Sequence, residues 1–128
     1  MKLTSATQVL EVKIGEAVTT TAPTFEIEAV EVVAATVLPK TSPSTSEKGD
    51  FTASYATAAA APTSGNQKGV TRIVVANIDS VAHTFFLRTN DSSTFTYELP
   101  GTTLQPGEFG QYEAGSGWSF FDVSANRK

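Results

Sequence analysis

One imidazole, thirteen carboxylates and no thiol are the groups with which this 128-residue chain could do chemistry. The imidazole, His83, stands between Ala82 and Thr84 beside an expected turn, where an exposed or hydrogen-bonding role fits better than catalysis. With one histidine the chain loses most routes to a His-rich metal site or a base-driven nucleophile. The acids Asp79, Asp91, Asp122, Glu98, Glu108 and Glu113 match no calcium-loop spacing and read as scattered turn and surface carboxylates. Gly15, Gly65, Gly69, Gly101, Gly107, Gly110, Gly115 and Gly117 hold no phosphate-loop spacing and read as turn residues. The absence of cysteine excludes a disulfide framework, a thiolate nucleophile, a zinc ribbon and an iron–sulfur site, and fits folding in a reducing cytoplasm. The expectation is a non-enzymatic protein with no catalytic residue, metal or cofactor.

Binding is the more promising chemistry, and the aromatics carry it. Phe109, Tyr112, Trp118, Phe120 and Phe121 crowd the C-terminal end, while Phe51 and Tyr55 stand in a stretch otherwise poor in large apolar residues. Tyr and Trp are enriched where proteins meet partners, and rings at a sheet edge can also stack on sugars. Both faces of the last strand are aromatic, so one packs the core and the other is expected to face a neighbour. The candidate partner contacts are therefore Phe51, Tyr55, Tyr112, Trp118 and Phe120. A formal charge of -4 disfavours a nucleic-acid partner held by phosphate neutralisation. The longest apolar runs, 32–38 and 55–62, fall far short of the ~20 residues of a membrane span. Met1 to Ile14 alternates polar with apolar residues and includes Lys2, Glu11 and Lys13, so no secretory h-region is expected. Asn90-Asp91-Ser92 matches a glycosylation tripeptide but reads better as a polar turn.

The elements that must position these residues are strands. Thr and Ser make up about a quarter of the chain, with Ala and Val the commonest apolar residues. Leu10, Val12 and Ile14 alternate with Glu11 and Lys13 as a half-buried strand. Phe25, Ile27 and Ala29 alternate with Glu26 and Glu28, and then Val30, Val32 and Val33 break the phase, which predicts a bulge or two short strands around 29–31. Residues 39–69, rich in Ser, Thr, Ala and Pro, read as a long loop or partner-ordered insertion, with Phe51 to Tyr55 as a possible edge strand and Ala58 to Ala61 as a possible helical turn. Residues 1–8 read as a poorly packed N-terminal arm.

From Val70 to the end, 70–128, the strands are best defined. Val70 to Asn77 reads as a central strand covered on both faces. Phe85 and Leu87 oppose Thr84, Phe86 and Arg88, while Phe95, Tyr97 and Leu99 share one face of a strand that Pro100-Gly101 breaks. Gln105-Pro106-Gly107-Glu108 suits a type II turn. This even turn spacing predicts one all-β domain over 1–128, an antiparallel β-sandwich or jelly-roll-like barrel.

The segments Arg72-Ile73-Val74-Val75-Ala76-Asn77-Ile78-Asp79, Thr84-Phe85-Phe86-Leu87-Arg88, Leu104-Gln105-Pro106-Gly107-Glu108 and Gly115-Ser116-Gly117-Trp118 resemble small structural proteins of tailed bacteriophages. The opening, Leu3 to Thr7 through Val18 to Thr20, is similar to theirs, and the middle stretch takes no part. The resemblance implies a virion component made in the bacterial cytoplasm. On that reading it is a capsid decoration, or cement, protein, a homotrimer binding the lattice of the major capsid protein. A neck or tail component and a carbohydrate-binding, adhesin-like module using Tyr112 and Trp118 are the alternatives. A net negative charge suits a protein that must stay soluble before assembly, and a repeated lattice adds many modest contacts.

Overall fold

The computed structural model describes the backbone of residues 1–33 and 38–128, and the side chains of 1–33 and 47–128. The middle of the apolar run 32–38 lies outside the described residues. Among the described residues ten strands follow in order: β1 (Lys2–Leu3), β2 (Gln8–Ile14), β3 (Thr24–Val33), β4 (Leu38–Asp50), β5 (Ala56–Ala59), β6 (Asn66–Ala76), β7 (His83–Asp91), β8 (Thr94–Leu104), β9 (Phe109–Glu113) and β10 (Gly117–Phe121). They form two antiparallel sheets packed as a β-sandwich. One runs β10-β9-β6-β3-β4, with β1 also on β6, and the other runs β5-β2-β7-β8. The sheets end in separate edges rather than closing into a barrel, which decides between the two architectures expected.

Alternation along the strands builds the core. Leu10, Val12 and Ile14 of β2, Ile27 of β3, Ile73 and Val75 of β6, and Phe85 and Leu87 of β7 are all buried between the sheets. The phase break in β3 is a bulge, with register shifts opposite β6 at Glu28/Ala29 and opposite β4 at Val30/Val32. Central placement of β6 holds, between β3 and β9. Its outer side chains, Val74 and Ala76, are only half-buried, so the two faces are not equally covered as expected.

Two segments expected to be irregular are ordered instead. The stretch 39–69 is not a long loop: β4, β5 and the start of β6 lie within it. Proline-containing β4 has a ladder partner on one side only, β3, so Pro39 and Pro43 cost it no second set of hydrogen bonds. Ala58 and Ala59 are buried in strand β5, not in a helical turn, because small side chains let that strand lie close on the core. The N-terminal arm is also pinned. Leu3 is fully buried, Met1 O accepts from Val70 N at 2.9 Å, and the N-terminal ammonium donates to the Tyr112 hydroxyl at 2.8 Å. Three residues are too few to show a periodicity, so only the neighbouring strand reveals their order.

Strand β8 runs through Pro100-Gly101 rather than ending there. It is an edge strand, which tolerates Pro100, and Gly101 takes φ +137° where an added Cβ would meet the Phe86 ring at 3.0 Å. The turn at 105–108 is as expected: Gly107 has φ +86°, the type II value, and Glu108 N donates to Gln105 O at 3.0 Å. Beyond β10 the chain folds back along that edge, with Lys128 N donating to Phe120 O at 2.9 Å and Phe121 bridging to Arg127. An edge that would otherwise template association is thereby blocked.

Phe51 illustrates how the middle stretch is held. Its ring is fully buried and meets Phe25 and Phe85 edge-on, at centroid distances of 5.6 and 4.9 Å. It is a core residue, not a partner contact. Phe51→Ala is expected to cost about 3–5 kcal/mol of stability, read as a lower urea midpoint with an unchanged slope.

Candidate functional site

The groups most capable of acid–base chemistry meet at the turn between β6 and β7. Asn77 is buried and donates through Nδ2 to the carbonyls of Val81 and Leu104, while its Oδ1 accepts from Asp79 N. Asp79, also buried, accepts at 2.8 Å from Thr19 N, Thr20 N, Thr20 Oγ1 and Ser80 N. His83 Nε2 lies 2.7 Å from Asp79 Oδ2. A carboxylate only accepts, so the imidazole donates from Nε2. The opposite ring nitrogen, Nδ1, is buried without a hydrogen-bond partner, 3.5 Å from Glu16 Oε2. Glu16 is itself held by Thr84 N and Thr84 Oγ1, and the backbone N–H of Thr84 keeps its carboxyl below the usual range.

Burial pushes the Asp79 carboxyl up, but the Thr19 N–H, His83 and the two Thr20 donors outweigh it and leave it well below the ordinary carboxylate range. The carboxylate and the imidazole are both buried. Asp79 ties the β2–β3 crossover, which passes from one sheet to the other, onto the β6–β7 turn. The sequence showed the turn at 77–80 but not its partner, because the threonines lie some sixty positions away.

The C-terminal aromatics divide between the two faces of their sheet. Trp118 pairs with Tyr112 and Phe120 with Gly110, so these rings point inward. Trp118 stacks on Phe120 at 5.9 Å and leans on Tyr112 at 5.7 Å, and all three are part-buried against the core beside Met1. Gly110 makes room, since a Cβ there would meet Phe120 at 2.8 Å. Phe109 and Phe121 stack on the outer side with centroids 4.9 Å apart. Of the expected contacts, Phe51 is core, and Tyr112, Trp118 and Phe120 form one half-covered inward cluster.

Tyr55 belongs to a different place, the outer face of the four-stranded sheet. There the Arg88 guanidinium lies between two rings, 3.6 Å from the Tyr55 centroid and 3.8 Å from that of Phe95, while its Nε donates to Glu11 Oε1 at 2.8 Å. The Lys13 ammonium sits 4.9 Å from the Tyr55 centroid and 5.1 Å from that of Phe86. Tyr97, the cross-strand partner of Arg88, is 54% exposed and Phe95 is 41% exposed. Strict alternation would put Phe95 and Tyr97 on the face of Leu99. A register shift intervenes, pairing Leu87 with Leu99 but Arg88 with Tyr97. Leu99 turns into the core and both aromatics turn out, a consequence of the bulge that alternation could not show.

No group of three or more His, Asp or Glu side chains among the described residues is arranged to hold a metal ion. Comparison with known proteins adds no relative: no family model matches the chain, and no curated protein or solved structure matches it significantly.

Because folding lowers the Asp79 pKa, its stabilisation is complete above the unfolded-state value of about 3.9 and is lost as pH falls below it toward the folded value. Asp79→Asn is expected to lower the urea midpoint at pH 7 and to lose less stability between pH about 4 and 2 than the wild type. Denaturation curves across that range check both; an equal acid loss in the two proteins would place the sensitivity elsewhere.

Proposed function

We propose that this protein is a non-enzymatic virion component, a decoration protein that binds the lattice of a tailed-phage major capsid protein and reinforces the shell, acting as a trimer. The observation that carries the reading is the commitment of its reactive groups. Asp79 and Glu16 accept from threonine and backbone donors and His83 donates to Asp79, a set that clamps two connections together, so what the chain presents outward is sheet. Four of the segments that resemble phage structural proteins carry this frame: the Asn77-Ile78-Asp79 turn, the 84–88 strand, the 104–108 turn and the Gly-Trp hairpin. Gly107 N donates to Asn77 O at 2.8 Å and Asn77 N to Glu108 O at 3.0 Å, which joins the 77–79 turn to the 104–108 turn. A rigid small sandwich with sheet faces outward suits a role in which many copies each add a modest contact to a lattice.

A carbohydrate-binding module is the second reading, favoured by the exposed Tyr97 and Phe95 rings rather than by the inward Tyr112 and Trp118. Quantifying the protein in purified virions separates these. Hundreds of copies per particle are expected of a lattice decorator, whereas a dozen or fewer would assign it to the neck or tail and none would remove it from the particle. Light scattering is expected to show a trimer, and a stable monomer would overturn that part of the proposal.

A further inference from the structure

Both nitrogens of the buried His83 ring face carboxylate oxygens. Nε2 lies 2.7 Å from Asp79 Oδ2, on the ring's own side of the β6–β7 turn, and Nδ1 lies 3.5 Å from Glu16 Oε2 of the β2–β3 crossover. Among the described residues these two acids are the charged groups paired with the ring, and its cross-strand neighbour on β8, Leu104, is apolar. Glu16, held by the Thr84 N–H, and Asp79, held against the effect of burial by the Thr19 N–H, both have carboxyls below the ordinary range. Both therefore stay charged from pH about 5 to 8, the interval in which imidazole is the side chain that changes charge. His83 is the one histidine of the chain.

Three proton placements on the ring differ in what they satisfy. With a proton on Nε2 alone, the neutral ring serves Asp79 but turns the Nδ1 lone pair toward Glu16, an acceptor against an acceptor. With a proton on Nδ1 alone, the Nε2 lone pair meets Asp79 at the shorter distance of 2.7 Å. Only the imidazolium donates on both sides. Exposure then distinguishes the two acids: Asp79 is buried, whereas the Glu16 side chain is 49% exposed and can swing into water. Nδ1 is thus the nitrogen that exchanges its proton.

We infer that His83 is a pH-dependent clamp: protonated on both nitrogens it bridges Asp79 and Glu16 and locks the start of the β2–β3 crossover onto the β6–β7 turn, and loss of the Nδ1 proton releases Glu16. Burial of the ring opposes its charge, and a carboxylate on each side favours it. The release is local. Asp79 keeps its donors from Thr19, Thr20 and Ser80 in either state, and Gly15 N still donates to Thr84 O at 2.9 Å. What is lost is the pair of bonds from Thr84 N and Thr84 Oγ1 to Glu16, so the crossover opens at its first residues while the sandwich stays intact.

The test is an NMR titration of the full chain from pH about 5 to 8.5, in which the single histidine gives one imidazole signal. In the wild type the imidazole and the Thr84 amide are expected to titrate together, and that amide to lose about fivefold or more of its protection from hydrogen exchange as the proton leaves. Glu16→Gln keeps an acceptor for Thr84 but removes the charge. It is expected to lower the midpoint of the imidazole signal by about half a pH unit or more and to flatten the Thr84 response. Glu113→Gln, which removes a carboxylate from the other sheet, is expected to leave the midpoint within about 0.2 pH units. Equal midpoints in wild type and Glu16→Gln, a Thr84 amide that ignores the imidazole, or an imidazole signal constant across the range would each overturn the clamp. The wild-type titration reads the last two without any variant.

Discussion

A buried carboxylate sets the terms for this sandwich. Asp79 sits where the six-stranded sheet hands the chain to the four-stranded one, and it gathers N–H donors from the crossover that makes the reverse journey. An ionised group without water costs several kcal/mol unless its lone pairs are filled, so the surrounding turns are held to the one arrangement that fills them. Asn77 extends the same logic to the Val81 and Leu104 carbonyls, and through its backbone to the 105–108 turn. Two sheets packed across an apolar core are thus keyed to each other by directional bonds.

Around that key the sandwich manages its edges. The C-terminal residues fold over β10, and β4 is rich in residues that resist further pairing. Small residues permit close approach where aromatics need space, as Gly110 does beneath Phe120 and Gly101 beside Phe86. The outer face of the four-stranded sheet carries rings against which Arg88 and Lys13 lie.

Much of the fold was legible where local chemistry and final environment agree. Leu10, Val12 and Ile14 alternate because one face of β2 is core, and the Pro106-Gly107 turn is dictated by the backbone angles those residues favour. The β3 bulge announced itself as a phase break between Ala29 and Val32. The order of the middle stretch comes from neighbours and is not written in its own residues: Phe51 supplies a ring to a core built elsewhere, and the alanines of β5 pack by being small. Less of the aromatic face of the four-stranded sheet was visible. Tyr55 was singled out, but Phe95, Tyr97 and Arg88 reach it through a register shift in β8 that leaves the period-2 pattern of the residues themselves unbroken.

By its sequence alone the chain determined its class, an all-β sandwich without cysteine chemistry, since strand periodicity, turn residues and composition act locally and survive without knowledge of neighbours. Only the tertiary structure decided which aromatics are core and which are surface, and what Asp79 and His83 are for. Facing direction in an edge strand depends on its register with a partner, and the use of a buried charge depends on donors brought from distant positions. Both are properties of pairing, which no single strand carries.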